Sequence, residues 1–163
     1  MMEGKKNKPR ALLIFGAPCS GKTTFAEKFA EKFRLTFFNL DLIAAENSFS
    51  RKNILTIVEL IAQTGQNVMF EGGLKTEKER GEIRRILRTA GYEVSLVWIQ
   101  TDISTIRARL KTRYKTIKEA KEFYEKEVLE IEAPTEIESP IILSGKHTFE
   151  TQSRHVLSGL AEC

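Results

Sequence analysis

The stretch Gly16-Ala17-Pro18-Cys19-Ser20-Gly21-Lys22-Thr23 has the residue types and spacing of G-x-x-x-x-G-K-[ST]. Glycines at both ends let a backbone curl until successive N–H groups converge on one anion. A helix opening at the second glycine adds its dipole to the same focus. Lys22 then reaches the β- and γ-phosphates of ATP, the Thr23 hydroxyl holds Mg²⁺, and Thr24 makes a further phosphate contact. The bland alternative is a strand–turn–helix corner with an accidental lysine. The apolar run directly before the motif and the amphipathic run directly after it favour the phosphate cradle.

Two carboxylates are candidates for the rest of such a site. Asp41 closes the second apolar run, and ligands of parallel α/β sheets sit beyond the carboxyl ends of strands. There it either orients an acceptor hydroxyl toward the γ-phosphorus or caps the following segment. Glu71 closes Val68-Met69-Phe70 and is expected to support Mg²⁺; a surface acid after a strand is the alternative. Which of the two serves as the acceptor-side base stays open at this point. Arg109 and Arg113, four residues apart, share one flank of an amphipathic segment whose core face is Ile103, Ile106 and Leu110. They are candidates for catalysis by pairing phosphate oxygens, against the reading of a solvated basic flank. Arg80, Arg84 and Arg88, interleaved with Glu77, Glu79 and Glu82, read as a solvated face. His147 and His155 have no partners at metal-ligand spacing, so no zinc site is expected.

These residues need a scaffold, and the apolar runs supply one. Ala11–Phe15, Leu35–Leu40, Asn67–Phe70, Tyr92–Ile99 and Pro140–Leu143 read as five strands, separated by stretches long enough for crossover helices. The expected fold class is α/β, a P-loop NTPase with a five-stranded parallel sheet and helices on both faces. Phe25, Phe29 and Phe33 recur every four residues and mark the buried face of the first helix. Gly65 and Gly91 fall where helices should end. Thr116–Glu132 is charged and helix-forming, with a narrow apolar stripe of Ile117, Ala120, Tyr124, Val128 and Ile131, and Pro134 stops it. It reads as a short helical lid spanning about residues 113–135. Residues 1–9 read as a flexible basic arm and residues 10–163 as a single domain.

A chain of 163 residues buries a continuous core without disulfides or metals. Its 41% hydrophobic and 29% charged residues argue against disorder. A net charge of +4 suits anionic small molecules and permits a nucleic-acid partner without requiring one. The two cysteines make no disulfide framework, which points to the cytoplasm, and no apolar run is long enough for a membrane span. A monomer or weak dimer is expected.

The motif, the second-strand Asp41, the third-strand Glu71-Gly72 and the pair Arg109 and Arg113 occur in the order found in small P-loop kinases. Over residues 11–114 the chain resembles the zeta-toxin and polynucleotide-kinase-like group of AAA-type ATPase domains, most of all through Asn67-Val68-Met69-Phe70-Glu71-Gly72-Gly73-Leu74-Lys75-Thr76. The resemblance implies a third strand beside the first, ATP as phosphoryl donor, and an acceptor hydroxyl on a small molecule, such as a nucleotide sugar, or on a nucleic-acid end. It also implies that the loop Ser144-Gly145-Lys146-His147 packs on the adenine. A basic residue usual in that group three positions after the aspartate is here Ala44, so Arg51 or Arg80 takes its place or the acceptor differs. Two further readings stand beside this one: a nucleoside or nucleotide kinase, and a nucleotide-binding regulatory or nucleic-acid-binding NTPase without a small acceptor.

Overall fold

Five strands carry the apolar runs: β1 (Arg10–Gly16), β2 (Thr36–Asn39), β3 (Val68–Glu71), β4 (Glu93–Gln100) and β5 (Ile141–Ser144). The structure, a computed structural model, describes residues 7–162; most of the expected basic arm lies outside the described residues. Every neighbouring pair is parallel, in the order β2-β3-β1-β4-β5. The third strand thus lies beside the first, as the resemblance implies. Central strands of parallel sheets are covered on both faces and read as unbroken apolar runs, which is how β1 and β3 read.

Among the described residues seven α-helices accompany the sheet: α1 (Lys22–Phe33), α2 (Leu40–Asn47), α3 (Arg51–Ala62), α4 (Glu77–Thr89), α5 (Ile103–Arg113), α6 (Ile117–Phe123) and α7 (Phe149–Ala161). Alternation along β1 divides the core in two. Leu13 and Phe15 face Val58, Phe70, Ile83 and Leu87 under α3 and α4. Leu12 and Ile14 face Phe25, Phe29, Met69 and Val156 under α1 and α7. Each such side chain removed from water contributes about 1.5–3 kcal/mol. Gly65 and Gly91 take the left-handed conformation just beyond α3 and α4, where a side chain would be strained.

Three local expectations need correction. The second strand stops at Asn39, whose side chain accepts from the Leu42 N–H and starts α2 at Leu40, so Asp41 lies in a helical first turn. The charged stretch from Thr116 is not one helix: α6 passes at Tyr124–Val128 into a wider π-helical turn. Ile103 and Ile117 are exposed, leaving Ile106, Leu110, Ala120 and Tyr124 to join α5 to α6. Ala17 and Cys19 of the glycine-rich loop pack against that same cluster, so the expected lid is rooted on the loop it would cover.

Candidate active site

The register places Gly16 opposite Ile99 and Ile14 opposite Glu71, so β1, β3 and β4 end along one edge. The glycine-rich loop turns there because no other residue fits its first position. A Cβ on Gly16 would lie 2.5 Å from the Ile99 carbonyl oxygen. Cys19 (φ 62°) and Gly21 (φ 91°) are both left-handed, a region costly for any residue with a Cβ. Among the described residues no side chain caps α1, so its first-turn N–H groups at Lys22, Thr23 and Thr24 are left to an anion. The loop is braced from outside. Arg109 Nη1 donates to the Cys19 carbonyl at 2.7 Å, and Thr101 Oγ1 donates to that of Ser20 at 3.2 Å.

Glu71 is not a surface acid. It is 3% exposed, and its Oε1 accepts from the Thr23 hydroxyl at 2.6 Å, with Lys22 Nζ 4.0 Å away. Its Oε2 is buried and has no partner among the described residues. Burial pushes its carboxyl above the ordinary 4.5; the Thr23 hydrogen bond and the Lys22 charge pull the other way, and nearby Asp41 and Glu27 push it further up. An orphaned buried carboxylate oxygen beside a hydroxyl is a hard oxygen donor set that fits Mg²⁺. With so few protein donors, the ion would keep waters and phosphate oxygens as its other ligands.

Asp41 is not a cap, since Asn39 does that work. Its Oδ1 accepts from the Gly73 N–H at 2.9 Å. Gly72 and Gly73 are left-handed (φ 88° and 63°), and a Cβ on Gly72 would lie 2.6 Å from Asp41 Cγ. The glycine pair therefore lets the chain after β3 close directly onto the carboxylate.

Two cavities flank the loop. One of about 500 Å³ is lined by Cys19, Gly21, Thr24, Arg109, Arg113, Gly145 and His147. The other, about 290 Å³, is lined by Pro18, Lys22, Asp41, Gly73, Lys75, Arg113, Phe123 and Glu127. Arg113 lines both. The structure thus brings Lys22, Thr23 and Glu71 together, sets Asp41 across the smaller cavity, and puts Arg113 between the two. Gly145 and His147 stand in the larger cavity, where the resemblance expects adenine. A further hollow of about 510 Å³, between α5 and α6, holds none of the candidate residues.

Two arginines are not where the sequence suggested. Arg80 is no part of a solvated face: it is 0% exposed and lies over the Phe15 ring. It donates to both carboxylate oxygens of Glu138 and to the carbonyls of Leu74, Lys75 and Glu132. Arg51 donates to Glu82 and to the carbonyls of Gly73 and Glu79. Neither is turned toward the smaller cavity in the place of the basic residue that Ala44 lacks. Sequence reasoning missed Lys75 and Glu127, an ion pair joining the loop after β3 to the π-helical turn; its partners lie 52 residues apart, with no local signal.

Strand order, loop and cavities define an α/β fold of the P-loop kinase class. The AAA domain family (AAA_33) matches residues 12–136, and the chain belongs to it. No curated protein matches it in sequence. Among solved structures it is similar to a gluconokinase from Sinorhizobium meliloti 1021 (TM-score 0.71, 15% identity, 95% of this chain and 93% of that one). It is similar to the Mycobacterium tuberculosis APS kinase CysC in complex with AMPPNP and APS (0.70, 15%, 94% and 98%). A third is Kti12 from Chaetomium thermophilum in complex with ADP-AlF3 (0.70, 15%, 93% and 97%). At such identities the likeness is one of fold.

Proposed function

We propose that this chain is an ATP-dependent phosphotransferase that moves the γ-phosphate to a hydroxyl group. The observation that carries the reading is the pair of cavities that share Arg113, with Lys22 and Asp41 both lining the smaller one. A module that only bound or hydrolysed nucleotide has no use for a carboxylate held by a glycine pair on the far side of the phosphates. The solved structures it resembles include a gluconokinase and an APS kinase, which agrees with a small acceptor. Within that class, the order of the loop, Asp41, Glu71-Gly72 and the arginine pair favours the zeta-toxin and polynucleotide-kinase-like group.

Residues 16–24 hold the triphosphate through loop N–H groups, Lys22 and the Thr23 hydroxyl. Thr23 and Glu71 would hold Mg²⁺, which would supply neutralising charge to the phosphates. Asp41 accepts a hydrogen bond from the acceptor hydroxyl and holds it in line, because a loose transition state asks more for position than for full deprotonation. Arg113, with Arg109 behind it, supplies positive charge as the phosphoryl group crosses. Residues 113–135 act as the lid, and residues 10–163 as one domain. The test is ADP release by the wild type and Lys22→Ala with hydroxyl compounds, nucleosides and 5′-hydroxyl oligonucleotides, with products read by mass. Lys22→Ala should lose turnover by about a hundredfold or more while melting normally. A variant that binds Mg–ATP and turns it over like the wild type would remove this reading.

A further inference from the structure

We infer that the acceptor is a compact polyhydroxyl compound, neutral or cationic, with no phosphate, sulfate or carboxylate: a sugar, sugar alcohol or amino sugar. The inference rests on the phosphotransferase reading and comes from the inventory of charge around the smaller cavity. Recognising an anionic acceptor takes a cation with donors to spare. Arg51 and Arg80 are engaged elsewhere, with every guanidinium nitrogen already donating within the protein. The Nε and both terminal nitrogens of Arg51 donate to Glu82, Gly73 and Glu79, and those of Arg80 to Glu138 and three carbonyls.

Three cations line the cavity itself. Arg113 is shared with the larger cavity and Lys22 belongs to the glycine-rich loop, and the phosphotransferase reading gives both to the transferred phosphate. Lys75 is ion-paired with Glu127 and lies 3.9 Å from Glu130, so this cluster carries one negative charge in excess. Asp41 adds another. The acceptor side is therefore rich in hydrogen-bond acceptors and short of free positive charge. An anion bound there meets like charge a few ångströms away, enough to weaken binding by about tenfold or more. Hydroxyl and ammonium groups meet the partners they need.

Size points the same way. A cavity of about 290 Å³ holds the volume of roughly ten waters, the scale of a single sugar ring rather than a nucleotide sugar. Phe15, Leu74, Phe123 and Ile131 give it apolar walls, suited to the C–H faces of such a ring while its hydroxyls turn to the carboxylates.

Matched probes test this on the full chain with Mg–ATP: glucose, glucitol and glucosamine against gluconate, glucuronate, glucose 6-phosphate and UDP-N-acetylglucosamine, read by ADP release and product mass. At least one neutral or cationic probe should raise ADP release by about tenfold over the acceptor-free rate, with no anionic probe matching it. An anionic probe as the best acceptor overturns the inference, and so does silence from every probe while Mg–ATP still binds. Failure to bind Mg–ATP overturns the phosphotransferase reading as well, so the two failures are distinguishable. Glu127→Gln removes one of the two carboxylates beside Lys75, leaves Glu130 as its partner and makes the cluster neutral. It should improve the KM for gluconate relative to glucosamine by about tenfold, with less effect on kcat. An unchanged ratio would show that Glu127 does not set the charge of the site.

Discussion

Arg109 and Arg113 on one side, and Arg51 and Arg80 on the other, are side chains of the same type within one small domain, yet their surroundings give them different work. Arg80 is buried, with its donors divided between one carboxylate and three carbonyls and its guanidinium carbon over the Phe15 ring. Arg51 similarly ties α3 to α4 and to Gly73. Arg113 lies over Phe123 and lines both cavities, and Arg109 donates to the loop carbonyl of Cys19. An arginine saturated by backbone carbonyls is a brace; one exposed to a cavity is free to meet a phosphate. Charge on a helix face does not tell them apart. Their partners do.

The comparison breaks first at Arg80. Arg80→Met leaves Glu138 with the more distant Arg84, 3.9 Å away, in place of its two direct hydrogen bonds, so it should cost about 3 kcal/mol of stability. Arg113→Ala should leave the melting temperature nearly unchanged. Equal losses in thermal melts of the two variants would erase the distinction between brace and free arginine.

Asp41→Asn is next in size. Asparagine keeps an oxygen for the Gly73 N–H but loses the charge and basicity, so transfer to the acceptor should fall by about a hundredfold. ATP affinity should hold. Transfer at the wild-type rate would leave Asp41 as no more than an anchor for the Gly72-Gly73 turn.

Arg113→Ala and Arg109→Ala sharpen the other half. Loss of one electrostatic donor lowers kcat by about ten- to a thousandfold. Arg113 should lie toward the upper end, because it lines both cavities, and Arg109 toward the lower, because its visible bond is to the loop. Both should affect kcat more than ATP binding. Normal turnover in either variant would return that residue to a solvated flank.

The strands and the loop were legible in the sequence because their signals are local: apolar runs, a glycine spacing, phenylalanines at every fourth position; the third strand beside the first came from the family resemblance. Glu71 was legible as a strand end, though its burial was not. Arg80 misled because its neighbours in sequence are acidic while its partner, Glu138, is 58 residues away. The stretch after Thr116 misled because helix-forming composition does not report a π-helical turn such as Tyr124–Val128. Asp41 was ambiguous for a different reason. Asn39, two residues earlier, is an equally good cap, and only the folded backbone shows which of them caps.

The smallest expected effect lies in the pH dependence of metal use, and it separates the two carboxylates. Burial raises the Glu71 carboxyl above 4.5, so without metal the folded protein holds this proton at pH values where the unfolded chain has released it. The stability from this group is therefore greatest at low pH and declines as pH rises through the raised value. Mg²⁺ favours the ionised form, so it must displace that proton. Its apparent affinity should weaken as pH falls, sooner than at a carboxylate of ordinary value. Glu71→Gln has no proton to displace and no charge to offer. Its Mg²⁺ requirement should rise by about tenfold and lose most of this pH dependence. Without metal, its melting temperature should match or exceed the wild type by about a few degrees, because a buried charge has gone. Asp41→Asn should keep the wild-type Mg²⁺ titration at every pH. If Asp41→Asn instead raises the Mg²⁺ requirement and Glu71→Gln does not, the two carboxylates have exchanged roles, and the acceptor is held from the floor of the site beside Thr23.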